Sequence, residues 1–594
     1  MNDLPDALNR LATRLEALER RVDALEHPSA APGFLPPPEP RAVQAAPADE
    51  TLSPTLAGGM FPVLGKAMLG IAGAYLLRAV AESTSLPKPA VAALAIAYAI
   101  LWLVGAARVR AGAWFASTAY ACTSALILAP MLWELTLRFK VLPAAAAAGV
   151  LGVFVCAAAA LAWKRDLASV FWVANFAAIL VALALSVATH EMAPFLAVLL
   201  LMAAIGEFAA ARNREPNVRT LIAPAADLAV WALVYIYSSP QNMHGDYPTL
   251  STAALLAPGF TLFLIFGVSV ALKTALKRET ITVFETVQAT IAFLLAASGL
   301  LFFEPRWGAT ALGIFCLVLS TASYAAAFLH FDPASERRNH AVFAAWSAAL
   351  FLAGSLLSLP PLPAAACLGV AAIVATILGL RLSRPALEFH GLIYLLAAAA
   401  ASGLLEYGFR ALAGTLPGAP SPGVLLVSVC AIFCYAAGKS RPAESGQRQF
   451  LRIATASVAL CAAVALLVEG LMSVTALGVN PGAPHLAFIR TLVLCAAALA
   501  LAYSGAHWRR MELTRIGYAT LVLVALKLVL EDLRHGHLEF IAASIFLFAL
   551  TLIAVPPPDA DGTENVSLGS AASEDDFCEA NNGIPSLTQS ARQG

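Results

Sequence analysis

Ionisable side chains stand out in a chain of which only 12% is charged. Arg78, Glu406, Glu469, Arg490, Lys527 and Glu531 lie inside long apolar runs, and Asp532 adjoins the last of them. An ionised group at the centre of a bilayer costs about 2.5–3.5 kcal/mol on insertion scales, so such groups turn toward the protein interior. Each of the six falls within roughly one and a half helical turns of the same end of its run, taking 1.5 Å of rise per residue. Three are cations and three are acids. Glu469, Arg490 and Lys527 fall on consecutive runs at similar depth, which makes direct pairing geometrically open. A balanced layer of this kind can line a polar cavity that opens to one side of a membrane. Two other outcomes share the pattern. Long side chains near a helix end can simply reach the interface, which suits Arg78 and Arg490 better than the shorter glutamates. Structural ion pairs also place charges this way. Lys527 and Glu531 are spaced i,i+4 with Lys first, the weaker order on a helix.

Asp227 stands apart. It lies in the middle of LIAPAADLAVWALVYIY, three residues after Pro224. Proline removes a backbone hydrogen bond and opens a helix locally. An acid beside such a break can bind a proton or a cation, or bond to a neighbouring hydroxyl. Glu207 and Glu285 lie about one turn inside the other surface, where they are expected to reach water. The segment EDLRHGHLE (531–539) carries His535 and His537 among acids. Imidazole and carboxylate suit zinc, but the segment reads as a polar loop and lacks helical H-E-x-x-H geometry. Eight of the nine cysteines lie in apolar runs, where a thiol behaves as a small hydrophobe. Cys430 and Cys434 share a helix face, yet no CxxC occurs. Glycine-rich phosphate loops and nucleophile-elbow motifs are not found in a fitting context. No metal and no cofactor is expected.

The elements that position these residues follow from composition. Of 594 residues, 60% are hydrophobic, and the charges cluster between apolar runs. Those runs are about 20 residues long, the length that crosses a bilayer core as a helix. In lipid every backbone N–H and C=O must be satisfied within the segment or in a closed barrel. Barrel strands alternate apolar and polar residues, and these runs do not. The expected fold is all-α, a polytopic transmembrane bundle over 60–555. Eighteen spans are predicted, from 60–81 to 537–555, with the thirteenth continuous over 387–410. Cytoplasmic loops are enriched in Lys and Arg. Loops after even-numbered spans hold 21 such residues, against six after odd-numbered spans: Lys88, Arg138, Lys140, Arg306, Arg410 and Arg534. The alternation supports the count and places both termini in the cytoplasm. The 37 basic and 37 acidic residues balance, so nothing suggests a nucleic-acid partner.

Outside the bundle, Leu4, Leu8, Leu11, Leu15, Leu18, Val22 and Leu25 are spaced 4, 3, 4, 3, 4, 3. This is the seam of a coiled coil over 1–27. With Leu15 and Val22 at a, Arg14 and Arg21 take g and meet Glu19 and Glu26 at e of a parallel partner. A helix lying on the membrane would carry a basic polar face, whereas this face carries both signs. A homo-oligomer follows, trimer or dimer. Residues 28–59 hold eight prolines and read as a semi-extended linker. Residues 556–594 are polar and acidic and read as disordered.

Two stretches carry a resemblance to a known family. FPVLGKAMLGIAGAYLLRAVAE (61–82) is a first span after a coiled coil and Pro-rich linker. LTRIGYATLVLVALKLVLEDL (513–533) sets Arg515, Gly517, Lys527 and Asp532 in the family's spacing. Between them, 120–215 keeps a similar rhythm, with KRD at 164–166 and Pro194 opening the sixth span. Together these resemble the bacterial predicted membrane proteins called domain of unknown function 2339. The resemblance covers most of 60–555 and implies a polytopic inner-membrane protein, with no activity attached. The leading functional expectation is a transporter or flippase-like permease for a cell-envelope component, with the bilayer as its surroundings. The alternatives are an envelope scaffold and a membrane enzyme acting on lipid-linked sugars, whose acids would serve as general acid and base. The short outer loops argue against the enzyme.

Overall fold

The computed structural model describes residues 54–83, 87–110, 113–212, 217–239, 245–331, 335–413, 418–438, 446–478, 482–532 and 538–556. The coiled coil over 1–27, the linker before residue 54, the loop with His535 and His537, and the tail beyond 556 lie outside these residues. Two compact units divide at Lys66 and Ala67. The packing below belongs to the second.

Among the described residues every regular element is a helix. In chain order they are α1 Pro54–Ser83, α2 Lys88–Arg108, α3 Trp114–Trp133, α4 Ala144–Arg165, α5 Ala168–Ala188, α6 Met192–Ala211, α7 Arg219–Ser238, α8 Thr252–Ala271, α9 Val283–Phe303 and α10 Gly308–Ala325. They continue as α11 Arg337–Ser358, α12 Pro361–Leu382, α13 Pro385–Ala401, α14 Leu404–Ala413, α15 Pro422–Gly438, α16 Gly446–Thr475, α17 Ala483–His507, α18 Met511–Lys527 and α19 Leu538–Ala554. Four of them, α3, α8, α10 and α18, run on into a single π turn: Glu134–Arg138, Leu272–Leu276, Ala326–His330 and Leu528–Asp532.

Among the described residues, fifteen helices are long and apolar enough to cross a membrane. The pair α13 and α14 makes a sixteenth if taken as one span, while α15 and α19 are shorter, at 17 residues each. Helix is thus present in all eighteen expected stretches, with two departures from the expected bounds. The described part of the first helix already includes Pro54, inside the expected linker. The thirteenth is not continuous. It bends by 69° at Ser402 and Gly403. Gly403 takes the left-handed conformation (φ 79°) that glycine adopts without a Cβ penalty. Its N–H bonds to the Ala400 carbonyl, and its own carbonyl accepts from Tyr407 at 2.9 Å to start α14.

Helices pack chiefly against neighbours one or two places along the chain. The tightest pairs are the antiparallel hairpins α10/α11, α12/α13 and α17/α18. Small residues permit this closeness. A Cβ on Gly313 would lie 2.7 Å from the Ser358 nitrogen, and one on Gly354 would lie 2.9 Å from the Gly313 carbonyl. The apolar core is accordingly a succession of clusters in chain order, over 99–292, 348–465 and 464–528. Large apolar side chains such as Leu126, Leu264, Leu294 and Val318 are exposed along the helix middles. Water-soluble proteins rarely expose contiguous apolar patches beyond a few hundred Å², so this surface suits lipid.

Candidate functional site

The expected charged layer divides in the structure. Arg490, Lys527, Glu531 and Asp532 come together, and the other four candidates lie elsewhere. Arg490 on α17 is 2% exposed. Its Nη1 donates to Glu531 Oε1 at 2.6 Å, its Nε to the Ala411 carbonyl at 2.6 Å and its Nη2 to the Arg410 carbonyl at 3.0 Å. Those carbonyls belong to the last turn of α14, where a helix has no partners of its own to offer. A cation is also favourable at that end of the helix dipole. Arg490 therefore caps the short helix created by the bend at Gly403.

Lys527 sits beside it. Its Nζ donates to the Ala487 carbonyl at 2.5 Å, to Thr491 Oγ1 at 2.7 Å and to Asp532 Oδ1 at 2.5 Å. An ammonium has three protons, so Lys527 is saturated. Glu531 Oε2 stands 3.6 Å away. Thr491 in turn donates to Asp532 Oδ2 at 2.9 Å. The π turn explains the choice of Asp532. Its wider turn closes hydrogen bonds to the fifth residue on, which carries position 532 over Lys527 while Glu531 keeps the i,i+4 place. The network holds two cations and two acids.

Glu469, expected to join Arg490 and Lys527, does not. It is buried on α16 and makes no ion pair among the described residues. Its Oε1 accepts weakly from Ser473 at 3.5 Å and its Oε2 has no partner. Depth alone brought it to the right level; its helix face sets it apart. Glu406 lies past the bend, on α14, and pairs with Arg410 one turn on, both well exposed. Arg78 bonds Glu134, at the start of the first π turn, at 2.7 Å.

A second network joins α6, α7, α8 and α9. Glu207 and Glu285, expected to reach water, are 6% and 5% exposed. Glu285 forms the capping box of α9 with Thr282: the Thr282 N–H donates to Oε2 at 2.8 Å, and the Glu285 N–H donates to Thr282 Oγ1 at 3.2 Å. Its Oε1 also receives Lys273 at 2.6 Å and Arg219 at 3.1 Å. Lys273 is carried there by the second π turn. Glu207 accepts from the Ser269 hydroxyl through Oε2, while Oε1 is buried with no hydrogen-bond partner among the described residues. Almost one turn deeper along α9, Gln288 Nε2 donates to Asp227 Oδ1 at 2.8 Å. The side-chain hydrogen-bond partner of Asp227 is therefore an amide rather than the anticipated hydroxyl.

Reading the sequence for charge passed over a third polar cluster. Tyr324 on α10 hydrogen-bonds His390 Nδ1 at 2.9 Å and the Tyr394 hydroxyl at 2.5 Å, both on α13. His340 packs edge-on against Phe328, and its Nε2 is buried without a hydrogen-bond partner among the described residues. Tyrosine and histidine in apolar runs read as core, and nothing local marks that they meet. Cys430 and Cys434 are buried free thiols.

No family model matches the chain, and neither a curated protein nor a solved structure matches it.

Proposed function

We propose that this chain is a bacterial inner-membrane protein of eighteen spans with both termini in the cytoplasm, and that it acts as a permease for a cell-envelope component through the α6–α9 network. The observation that carries the reading is Glu207. A buried acid with an oxygen left without a hydrogen-bond partner costs stability, and Glu207, unlike the equally buried Glu469, stands in a network with other acids and cations. Acids in membrane helices mark ion and proton paths. From Glu285 through Glu207 to Asp227 the second network supplies three of them at successive depths, the last beside Pro224. The charge alternation of the loops supports the orientation. The helices α15 and α19, at 17 residues, meet the lower limit for a span.

Accessibility tests the permease reading without knowing the substrate. A single cysteine at Gln288, on a background cleared of the nine native cysteines, is challenged with a membrane-impermeant maleimide from either side. Alternating access predicts labelling from both sides. Labelling from one side only, or from neither, would sink the permease reading.

The scaffold reading has its own support in the saturated α14–α17–α18 network and the hairpin-by-hairpin packing. Assembly through a coiled coil over 1–27 fits either. Deleting those residues is expected to lower the cross-linked size in detergent, and an unchanged size argues against the coiled coil.

A further inference from the structure

We propose that α14 lies in the membrane–water interface, with Leu405 and Phe409 set among lipid chains and Glu406 and Arg410 in the water layer. The helix has three faces. At about 100° of rotation per residue, Leu404, Tyr407, Gly408 and Ala411 form one stripe, and all four are buried against the protein. Leu405 and Phe409 form a second stripe roughly a third of a turn round, and both are large apolar side chains left exposed. Glu406 and Arg410 form a third, paired with each other and well exposed. A helix crossing the hydrocarbon has no outward place for such a pair, because ionised groups there turn to the protein interior. A helix in the plane of the interface uses both outer faces at once, with its apolar side in the boundary between headgroups and acyl chains.

The position of the bend supports this placement. The 69° bend turns the axis of α14 away from that of α13. Ser402, at the bend, stands beside the first turns of two other helices: a Cβ on Gly423 would lie 3.4 Å from both Leu362 Cδ1 and Ser402 Cβ. α12 begins at Pro361 and α15 at Pro422, so the chain turns at the level where two long apolar helices start. Away from the bend, α13 and α15 expose Leu396, Val429 and Ile432, as helices in lipid do. The ends of a short helix must also be satisfied where water is scarce. The Ser402 hydroxyl accepts from the Leu404 N–H at 3.3 Å, and Arg490 holds the Ala411 and Arg410 carbonyls. By holding that end, Arg490 also fixes which stripe of α14 faces outward.

The proposal rests on reading the chain as an integral membrane protein, which is checked separately by its retention in the membrane fraction after alkaline carbonate. The test of α14 uses the full chain cleared of its nine native cysteines and carrying Leu405→Cys, Glu406→Cys, Phe409→Cys or Arg410→Cys, one at a time. All four positions are exposed, so a nitroxide label fits without repacking. The labelled chain is reconstituted in vesicles of phosphatidylethanolamine and phosphatidylglycerol. Collisions of each label with oxygen, which concentrates in lipid, are compared with collisions with a water-soluble nickel complex. The ratio of oxygen to nickel collisions is expected to be several times higher at 405 and 409 than at 406 and 410. Similar ratios at all four positions, or frequent nickel collisions at 405 and 409, overturn the interfacial placement. Few collisions with either reagent at 405 and 409 would mean that protein, from a second copy or another segment of this chain, covers the apolar stripe, and that outcome overturns the lipid contact.

Discussion

The two charged networks differ in how fully their members are satisfied. In the α14–α17–α18 network, Lys527 spends three protons on three acceptors, and Arg490 ties an acid and two helix-end carbonyls. Its cations and acids balance. In the α6–α9 network, Arg219 and Lys273 both serve Glu285, and Glu207 keeps an oxygen without a partner. The first is built to hold the bent helix pair α13 and α14 in one arrangement. The second retains capacity to change its bonding. Burial is similar in both, so burial alone does not tell a clamp from a site. What separates them is whether each donor and acceptor is accounted for.

The comparison is broken most directly at Arg490. Arg490→Ala leaves Glu531 with only Lys527 at 3.6 Å and uncaps α14, and losing one partner of a buried pair typically costs about 3–5 kcal/mol. A large fall in melting temperature of the purified protein is expected. A melting point close to that of the unchanged chain would mean that the network is not a clamp.

Next in size is the coupling between Lys527 and Asp532. Lys527→Ala and Asp532→Ala should each destabilise, with the double variant losing less than the sum by about 0.5–3 kcal/mol. Glu469 supplies the control. Because it stands outside the network, Glu469→Ala and Lys527→Ala should be close to additive. Coupling of Glu469 as strong as that of Asp532 would contradict the arrangement described here.

The α6–α9 network should respond differently. Glu207→Gln removes a charge that has no cation of its own and keeps a group able to bond Ser269. Its melting temperature should move by the equivalent of about 1 kcal/mol or less in either direction, the scale of one hydrogen bond. A loss as large as that of Arg490→Ala would erase the distinction between the networks. The smallest effect is expected at Glu406, whose pair with Arg410 is exposed. Glu406→Ala should cost no more than about 0.5 kcal/mol, as for helix-surface ion pairs, and a clearly larger loss would show that α14 depends on more than its Arg490 cap.

Composition and loop charge were enough to predict where helices run. A membrane span satisfies its backbone internally, so its existence is written in a continuous stretch of residues. The same holds for the co-location of Lys527, Glu531 and Asp532, which share one helix end. The break at Gly403 was less legible. Ser-Gly in an apolar run is ordinary, and only the left-handed turn and the cap on α14 show that the run is two helices.

Tertiary structure alone decided the partners. Arg490 bonds backbone carbonyls about eighty residues away, and a carbonyl has no residue type by which to recognise it. The choice of Asp532 for the closest bond to Lys527 depended on a π turn, a one-residue change in winding with no clear sequence signature. Glu469 has the right depth and the wrong face, because the angular position of a helix is set by its neighbours. Glu207 and Glu285 lie near the ends of their spans, yet four helices close around them. Depth in a bilayer is a property of the segment, whereas contact is a property of how segments rotate against one another. The first follows from the order of residues and the second from packing.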